Sequence, residues 1–149
     1  MSSYLTIYGK LKPEYKVEKP ISLLSVSRNN DLYQAFHESG VAYIYGNAVD
    51  ISDENPEMQY TEITVEKLNE IRSSLNETIK STQERIDLIE KNLPEKSSER
   101  LEMLQEVLSW KEYLEDNKRT LHEIDFINIM LNEVKYNYSP FEKLLCNVD

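Results

Sequence analysis

The chain has 149 residues with a formal net charge of −10, and 40% of the residues are hydrophobic while 30% are charged. This length fits a single domain, 1–149, that can bury a core, and the composition fits a solvated helical protein better than a disordered chain. The net charge argues against general binding of nucleic acid or of anionic membranes, because both need clustered cations, but it is compatible with binding in the basic groove of a nucleic-acid enzyme.

Cysteine usage and hydropathy indicate the compartment. Cys146 is the single cysteine, so no internal disulfide can form, and a reducing environment is the simple interpretation. Residues 1–20 lack an apolar run after a basic start, and no apolar stretch is long enough to span a bilayer. We therefore expect a cytoplasmic protein without a membrane segment.

Residues 1–63 predict a small, mostly antiparallel sheet with one short helix. Strands are predicted where apolar and polar residues alternate or where β-branched and aromatic residues are frequent. These segments are Tyr4–Tyr8, Ile21–Ser27, Val41–Tyr45, Ala48–Ile51 and Met58–Ile63. Gly46-Asn47 is a two-residue hairpin signal between two of them. The short helix is predicted over Asp31–Ser39, with Asn29 or Asn30 as its cap.

Residues 64–135 predict two long helices that fold back on each other as a coiled-coil-like hairpin. Apolar residues recur in steps of three and four in both arms, which is the period of a helix with one apolar face. Thr64 suits the N-cap of the first helix, and Leu93-Pro94 marks the turn between the arms. The predicted seam of the second arm consists of Leu101, Leu104, Val107, Trp110, Leu114, Leu121, Ile124, Ile127, Leu131 and Val134.

The last segment, residues 136–149, predicts a short C-terminal helix. Ser139-Pro140-Phe141-Glu142 combines a capping box with proline at the first helical position. Together the elements predict an α+β fold. It consists of a small antiparallel sheet with a short helix, a long antiparallel helical hairpin and a short C-terminal helix.

Residues suited to catalysis or metal binding are scarce. His37, His122 and Cys146 are far apart in the sequence, whereas zinc sites need several such ligands at short spacing. The glycines stand singly, so no glycine-rich phosphate loop is present. We predict no catalytic residues, no metal and no cofactor. The remaining enzymatic hypotheses are a Cys146/His pair or a pair of carboxylates brought together by folding.

The turn from the second strand into the short helix is a candidate site for an anionic, nucleotide-like ligand. Arg28, Asn29 and Asn30 lie where free amides and the helix dipole attract anions, and Tyr33 offers a ring for stacking one turn further on. Helix capping explains the asparagines without any ligand. The sequence leaves both interpretations open.

Charges are distributed unevenly along the chain. Between Asn29 and Glu66 there is no Lys or Arg, and four acidic residues cluster there at Asp50, Asp53, Glu54 and Glu57. An acidic surface can steer a protein to a basic partner, such as a nucleic-acid-binding enzyme. The alternative is a solvated face without a partner.

The second long helix carries apolar residues off its predicted seam. Met103 and Leu108 lie near the tip of the hairpin, close to Trp110. Two helices cover only one narrow seam on each other, so we predict that these residues form an interface. Pairing two hairpins into a four-helix bundle would cover them, and two-fold dimers are the commonest oligomers. We expect a homodimer through the helices.

The chain also resembles small accessory proteins encoded by phages and mobile elements of AT-rich bacteria. The resemblance lies in its richness in Lys, Glu, Asn, Ile and Tyr and in the passage from a sheet into a helical hairpin. That passage is Tyr60-Thr61-Glu62-Ile63-Thr64 leading into Val65-Glu66-Lys67-Leu68. The resemblance implies a protein that binds and inhibits a host defence or nucleic-acid enzyme, or that sequesters a small signal.

The sequence therefore favours a non-catalytic, acidic interaction protein that binds another macromolecule, of the phage inhibitor type. The alternative function is capture of a small anionic ligand at the turn 25–33.

Overall fold

The computed structural model describes residues 4–27, 30–38, 48–49 and 60–148. These residues form the predicted α+β fold, with an antiparallel sheet followed by two long helices. The strands are β1 (Tyr4–Leu11), β2 (Ile21–Ser27), β3 (Ala48–Val49), β4 (Tyr60–Glu62) and β5 (Phe141–Val148). The helices are α1 (Asp31–Glu38), α2 (Val65–Lys91) and α3 (Ser97–Lys135), with a short 3-10 helix at Pro13–Tyr15. The predicted strand Val41–Tyr45 and the turn Gly46-Asn47 lie outside the described residues.

The sheet has the strand order β2-β1-β5-β4-β3, and each pairing is antiparallel. Ile7 on β1 lies opposite Leu24 on β2 and opposite Cys146 on β5. Cys146 in turn lies opposite Thr61 on β4. Strand β5 is therefore the central strand of the sheet. It lies between β1, which precedes the short helix α1 in the sequence, and β4, which follows that helix.

The predicted C-terminal helix is wrong, because residues 141–148 form strand β5. Ser139 does cap the chain, but its Oγ accepts a hydrogen bond from the Phe141 N–H, two residues on, instead of starting a helical turn. Leu144, Leu145 and Cys146 are successive residues with at most 1% exposure. A strand buried on both faces accommodates such a run, and this tertiary pairing overrides the local capping signal.

The end of α3 explains how the chain enters the sheet. Asn137 adopts a left-handed conformation with φ of 63°. The Tyr138 N–H donates to the Glu133 carbonyl at 2.9 Å, and the Asn137 N–H donates to the Val134 carbonyl at 3.2 Å. These two bonds are a Schellman motif, which ends a helix and reverses the chain. The reversal sends the next residues into β5.

Gly9 allows an aromatic ring to lie directly on β1. A Cβ atom at this position would meet Cδ1 and Cε1 of Phe141 at 2.6 Å. The strand does not end at Gly9 but continues to Leu11, because the missing side chain makes room for the ring.

The described chain forms two compact units. The sheet unit comprises the described residues of Met1–Ile71 and Glu123–Asp149, and the hairpin unit is Arg72–His122. In the sheet unit, α1 and the adjoining ends of the long helices contribute buried apolar side chains. These are Leu32, Phe36, Leu68, Ile71, Ile124, Ile127 and Leu131.

The hairpin unit has one narrow core between α2 and α3. Ile86, Val107 and Leu114 are buried there, with Ile79, Ile89 and Trp110 packed against them. Two ion pairs join the arms, Arg85 with Glu106 at 3.5 Å and Lys111 with Glu90 at 2.9 Å. These cross-links confirm the predicted antiparallel hairpin.

The predicted start of the first long helix is also confirmed. Thr64 Oγ1 accepts a hydrogen bond from the Lys67 N–H at 3.3 Å, which is the geometry of an N-cap side chain. Ile63 and Leu68 on either side of this cap are buried, as expected for a hydrophobic staple.

Candidate interaction surface

The most exposed group of leucines in the hairpin unit lies on α3. Leu101, Leu104 and Leu108 are 58%, 42% and 59% exposed. Their spacing of three and then four residues places them on one face of the helix. At 1.5 Å per residue they extend over about 10 Å of the helix axis. We call these three residues the leucine strip.

The leucine strip lies away from the seam that joins the two arms. The seam of α3 is formed by Val107 and Leu114, which are 4% and 5% exposed, with Trp110 packed beside them. Each residue turns the helix by about 100°, so Leu108 cannot share the face of Val107. Helix α3 therefore has two apolar faces in the hairpin unit, and α2 covers one of them.

The helix period of the sequence predicts the wrong face for two of the strip residues. Leu101 and Leu104 were predicted on the seam, but the structure exposes them together with Leu108. The positions of these residues around the helix axis could have identified the correct face. Leu101, Leu104 and Leu108 form one stripe, while Met103, Val107, Trp110 and Leu114 form another, and one face of a helix cannot hold both.

The other predicted interface residues at the tip are partly engaged within the hairpin. Met103 is half-buried. Trp110 packs against the hairpin core, and the Arg85 guanidinium lies 5.0 Å from its ring centroid. The Trp110 Nε1–H also donates to Glu106 Oε1 at 3.4 Å. The tryptophan therefore stabilises the hairpin, and Leu108 remains the most exposed of the three.

Charged side chains limit the strip at its C-terminal end. Lys111, Glu112 and Glu115 continue the same side of α3 beyond Leu108, and all three are exposed. At the other end, Lys96 and Ser97 lie where α3 begins. The strip thus has a negative neighbourhood at one end and the N-terminal pole of a helix at the other, where free amides favour negative charge.

The acidic residues predicted as a partner surface, Asp50, Asp53, Glu54 and Glu57, lie outside the described residues.

The turn proposed to bind an anion shows the features of a helix cap where it is described. Asn30 Oδ1 accepts a hydrogen bond from the Leu32 N–H at 2.9 Å, at the start of α1. Tyr33 is 4% exposed, with its ring centroid 6.0 Å from that of His37. Arg28 and Asn29 are outside the described residues. The observed bond is the one expected from the capping interpretation.

The buried cysteine is in an unreactive environment. Cys146 lies on the central strand with 1% exposure. Burial raises the pKa of its thiol to about 12, although the charge of Lys67 opposes this shift. A nucleophilic cysteine needs its thiolate, so this thiol is protonated and inert near neutral pH. His37 and His122 are exposed.

Two further searches of the described residues bear on function. Within them, no group of three or more His, Cys, Asp or Glu side chains could hold a metal ion. No helix there has both the length and the apolar content needed to cross a bilayer.

No protein-family model, curated protein or solved structure matches this chain. The geometry of the leucine strip is therefore the basis for assigning a function.

Proposed function

We propose that this protein is a non-catalytic interaction protein that acts by binding another protein chain, with the leucine strip as its docking surface. Following the resemblance to phage accessory proteins, the proposed role is inhibition of a host defence or nucleic-acid enzyme.

The observation that supports the proposal is the exposure of the three strip leucines. Burying an apolar side chain contributes about 25 cal/mol per Å² of area removed from water. Leaving three neighbouring leucines in water forgoes this contribution, and contiguous apolar surface rimmed by charge is typical of interaction sites. Leu88 is 63% exposed but stands on α2 without such a stripe, so it is a single surface leucine that needs no explanation.

The net charge of the chain indicates the charge of its partner. A chain with a net charge of −10 attracts basic proteins and repels acidic ones over a distance of about 8 Å at physiological salt. This supports a basic target, such as an enzyme with a groove for nucleic acid.

The test compares two leucines of nearly equal exposure. Wild type, Leu108→Glu and Leu88→Glu are each immobilised and incubated with a bacterial cell extract, after circular dichroism has shown equal helix content. Protein partners bound through the strip should be retained by wild type and by Leu88→Glu but reduced about tenfold or more by Leu108→Glu, since a charge is buried in the interface. Equal retention by all three proteins would overturn the proposal.

A further inference from the structure

We propose that the outer edge of strand β2 binds an extended segment of another protein chain, which joins the sheet as a further strand. The inference goes beyond the proposed function, because it concerns the sheet unit and does not depend on the leucine strip. It also specifies the segment, which should be short, uncharged, and alternately apolar and polar.

The backbone of β2 determines what can occupy this edge. Strand β2 lies at one end of the sheet, and its inner edge pairs with β1. In the part of the chain that the structure describes, no strand pairs with the outer edge of Ile21–Ser27. Only the Ser27 carbonyl at its end accepts a turn bond, from the Asn30 N–H at 2.9 Å. Because alternate peptide groups of a strand point to opposite edges, this edge presents a row of N–H and C=O groups that another strand can pair.

The composition of β2 leaves the edge open to pairing. Proteins commonly protect edge strands with charged side chains, proline or a bulge. Ile21–Ser27 has no charged residue and no proline, in a chain in which 30% of the residues are charged. A bulge at Leu23 interrupts the pairing with β1 and leaves Leu24–Ser27 as the regular part of the edge. The added segment should therefore pair along these residues.

The side chains of β2 specify one face of the added segment. Leu24 lies opposite Ile7 and Val26 lies opposite Leu5, and both β1 residues have no exposed surface. Leu24 and Val26 themselves are only partly buried, so the buried apolar layer ends at this edge. Apolar residues beside these two would extend the layer, and such neighbours across strands stabilise a sheet.

The opposite face of β2 favours small polar residues. Ser25 and Ser27 are exposed there, and Ser25 Oγ lies 3.2 Å from Thr6 Oγ1 on β1. Hydroxyl pairs across strands are favourable, so serine or threonine in the added segment would extend this polar row. A segment that alternates apolar and hydroxyl residues matches both faces, and β2 offers no opposite charge to a charged segment.

A labelled synthetic peptide tests the edge directly. The probe is a fluorescent, capped Thr-Val-Thr-Val-Thr-Val peptide, and a capped Val-Val-Val-Thr-Thr-Thr peptide of equal composition is the control. Fluorescence anisotropy with the full chain should show several-fold tighter binding of the alternating peptide. Hydrogen exchange followed by NMR should show that this peptide protects every second amide of Leu24–Ser27 and leaves the amides of α3 unchanged.

Two lysine variants locate the binding on the edge strand. Ser25→Lys and Thr6→Lys both remove the Thr6–Ser25 contact and add the same charge to the same face, but only Ser25 lies on β2. An added strand desolvates a charge on the edge strand, so Ser25→Lys should weaken binding of the alternating peptide several-fold more than Thr6→Lys does. Circular dichroism verifies that both variants fold, and exchange of the wild type provides the test if either does not.

Each outcome decides the inference. Equal binding of the two peptides, or equal weakening by the two lysines, would overturn it. Alternate β2 amides that are protected without peptide and exposed on dilution would show a second copy on the edge, which would also overturn it. Leu108→Glu should bind the probe like wild type. Unchanged retention of extract proteins by Leu108→Glu would therefore refute the leucine strip alone, and failure of the probe alone would refute the edge.

Discussion

The sheet unit and the hairpin unit differ in the extent of their buried apolar cores. In the sheet unit, Leu5, Ile7, Leu144 and Leu145 have no exposed surface, and helices contribute further buried side chains. In the hairpin unit, the buried apolar residues are Leu75, Ile86, Val107 and Leu114, and the threonines Thr82 and Thr120 share the same interior. The hairpin unit thus has one seam where the sheet unit has a layered core.

This difference explains why an interaction surface lies on α3. Two helices alone cover one face of each other, and any other apolar face needs a further layer. The sheet unit buries much of its apolar surface between strands and helices of its own chain, although Phe126 and Ile129 on α3 remain 59% and 58% exposed. Among the described residues of the hairpin unit, three leucines on α3 are 42–59% exposed, and a bound protein chain could supply the layer that covers them.

The largest expected effect comes from comparing a buried leucine of the sheet unit with an exposed leucine of the hairpin unit. Leu145→Ala removes a fully buried side chain on the central strand and should lower the free energy of unfolding by about 2–5 kcal/mol. Leu88→Ala removes an exposed one and should change it by less than about 0.5 kcal/mol. Urea denaturation followed by circular dichroism measures both. Equal losses would mean that the two leucines have similar environments in solution.

The close contact between Gly9 and Phe141 gives the next largest effect. Gly9→Ala forces its Cβ into the aromatic ring and should cost about 1–3 kcal/mol, because neighbouring strands cannot move apart freely. Phe141→Leu in the same chain should recover part of this loss, since the clash involves ring atoms. The melting temperatures of both variants provide the measurement. A double variant less stable than Gly9→Ala would show that the ring contact is not the cause.

The cysteine of the sheet core should make stability depend on alkaline pH. The folded state raises the pKa of Cys146 from 9.0 to about 12, so it favours the protonated thiol. This contribution is complete below pH 9 and is lost between pH 9 and 12, at up to about 1.4 kcal/mol per pH unit. Unfolding of wild type and of Cys146→Ala should be compared at pH 8 and pH 10. Other groups titrate equally in both proteins, so an identical pH dependence would contradict the burial of the thiol.

The smallest effect concerns the exposed contacts that join the hairpin arms. Arg85 pairs with Glu106 and lies over Trp110, but its side chain is 56% exposed. Arg85→Ala should therefore destabilise the chain by only about 0.5–1 kcal/mol, and by less in high salt. Arg119→Ala is the matched control, since the described ion pair of Arg119 is an i,i+3 pair with Asp116 on the same helix. If Arg119→Ala lost more stability than Arg85→Ala, the contacts of Arg85 with Glu106 and Trp110 would not be the ones that stabilise the hairpin.

Local patterns in the sequence predicted most of the fold. Strand β2 has the predicted bounds, α1 matches to within a residue, and α2 begins after the predicted N-cap at Thr64 but ends two residues before Leu93. These features depend on side chains close in sequence, such as an alternating strand or a capping hydroxyl. Such patterns carry their information locally.

The parts that sequence reasoning missed depend on distant residues. Strand β5 looked like a helix because Ser139 and Pro140 suit a helix start, whereas its pairing with β1 involves residues more than a hundred positions away. Leu101 and Leu104 matched a helix period, but the period alone does not say which of two stripes faces α2. The candidate surface was therefore only partly predicted, through Leu108.

The most direct test of the account is the mass of the protein in solution. Light scattering at micromolar concentration should give about twice the chain mass of 17.5 kDa for wild type and for Leu88→Glu. Leu108→Glu should give the mass of one chain with unchanged helix content. A single-chain mass for wild type, or a dimer that Leu108→Glu leaves intact, would contradict the expected homodimer through the helices.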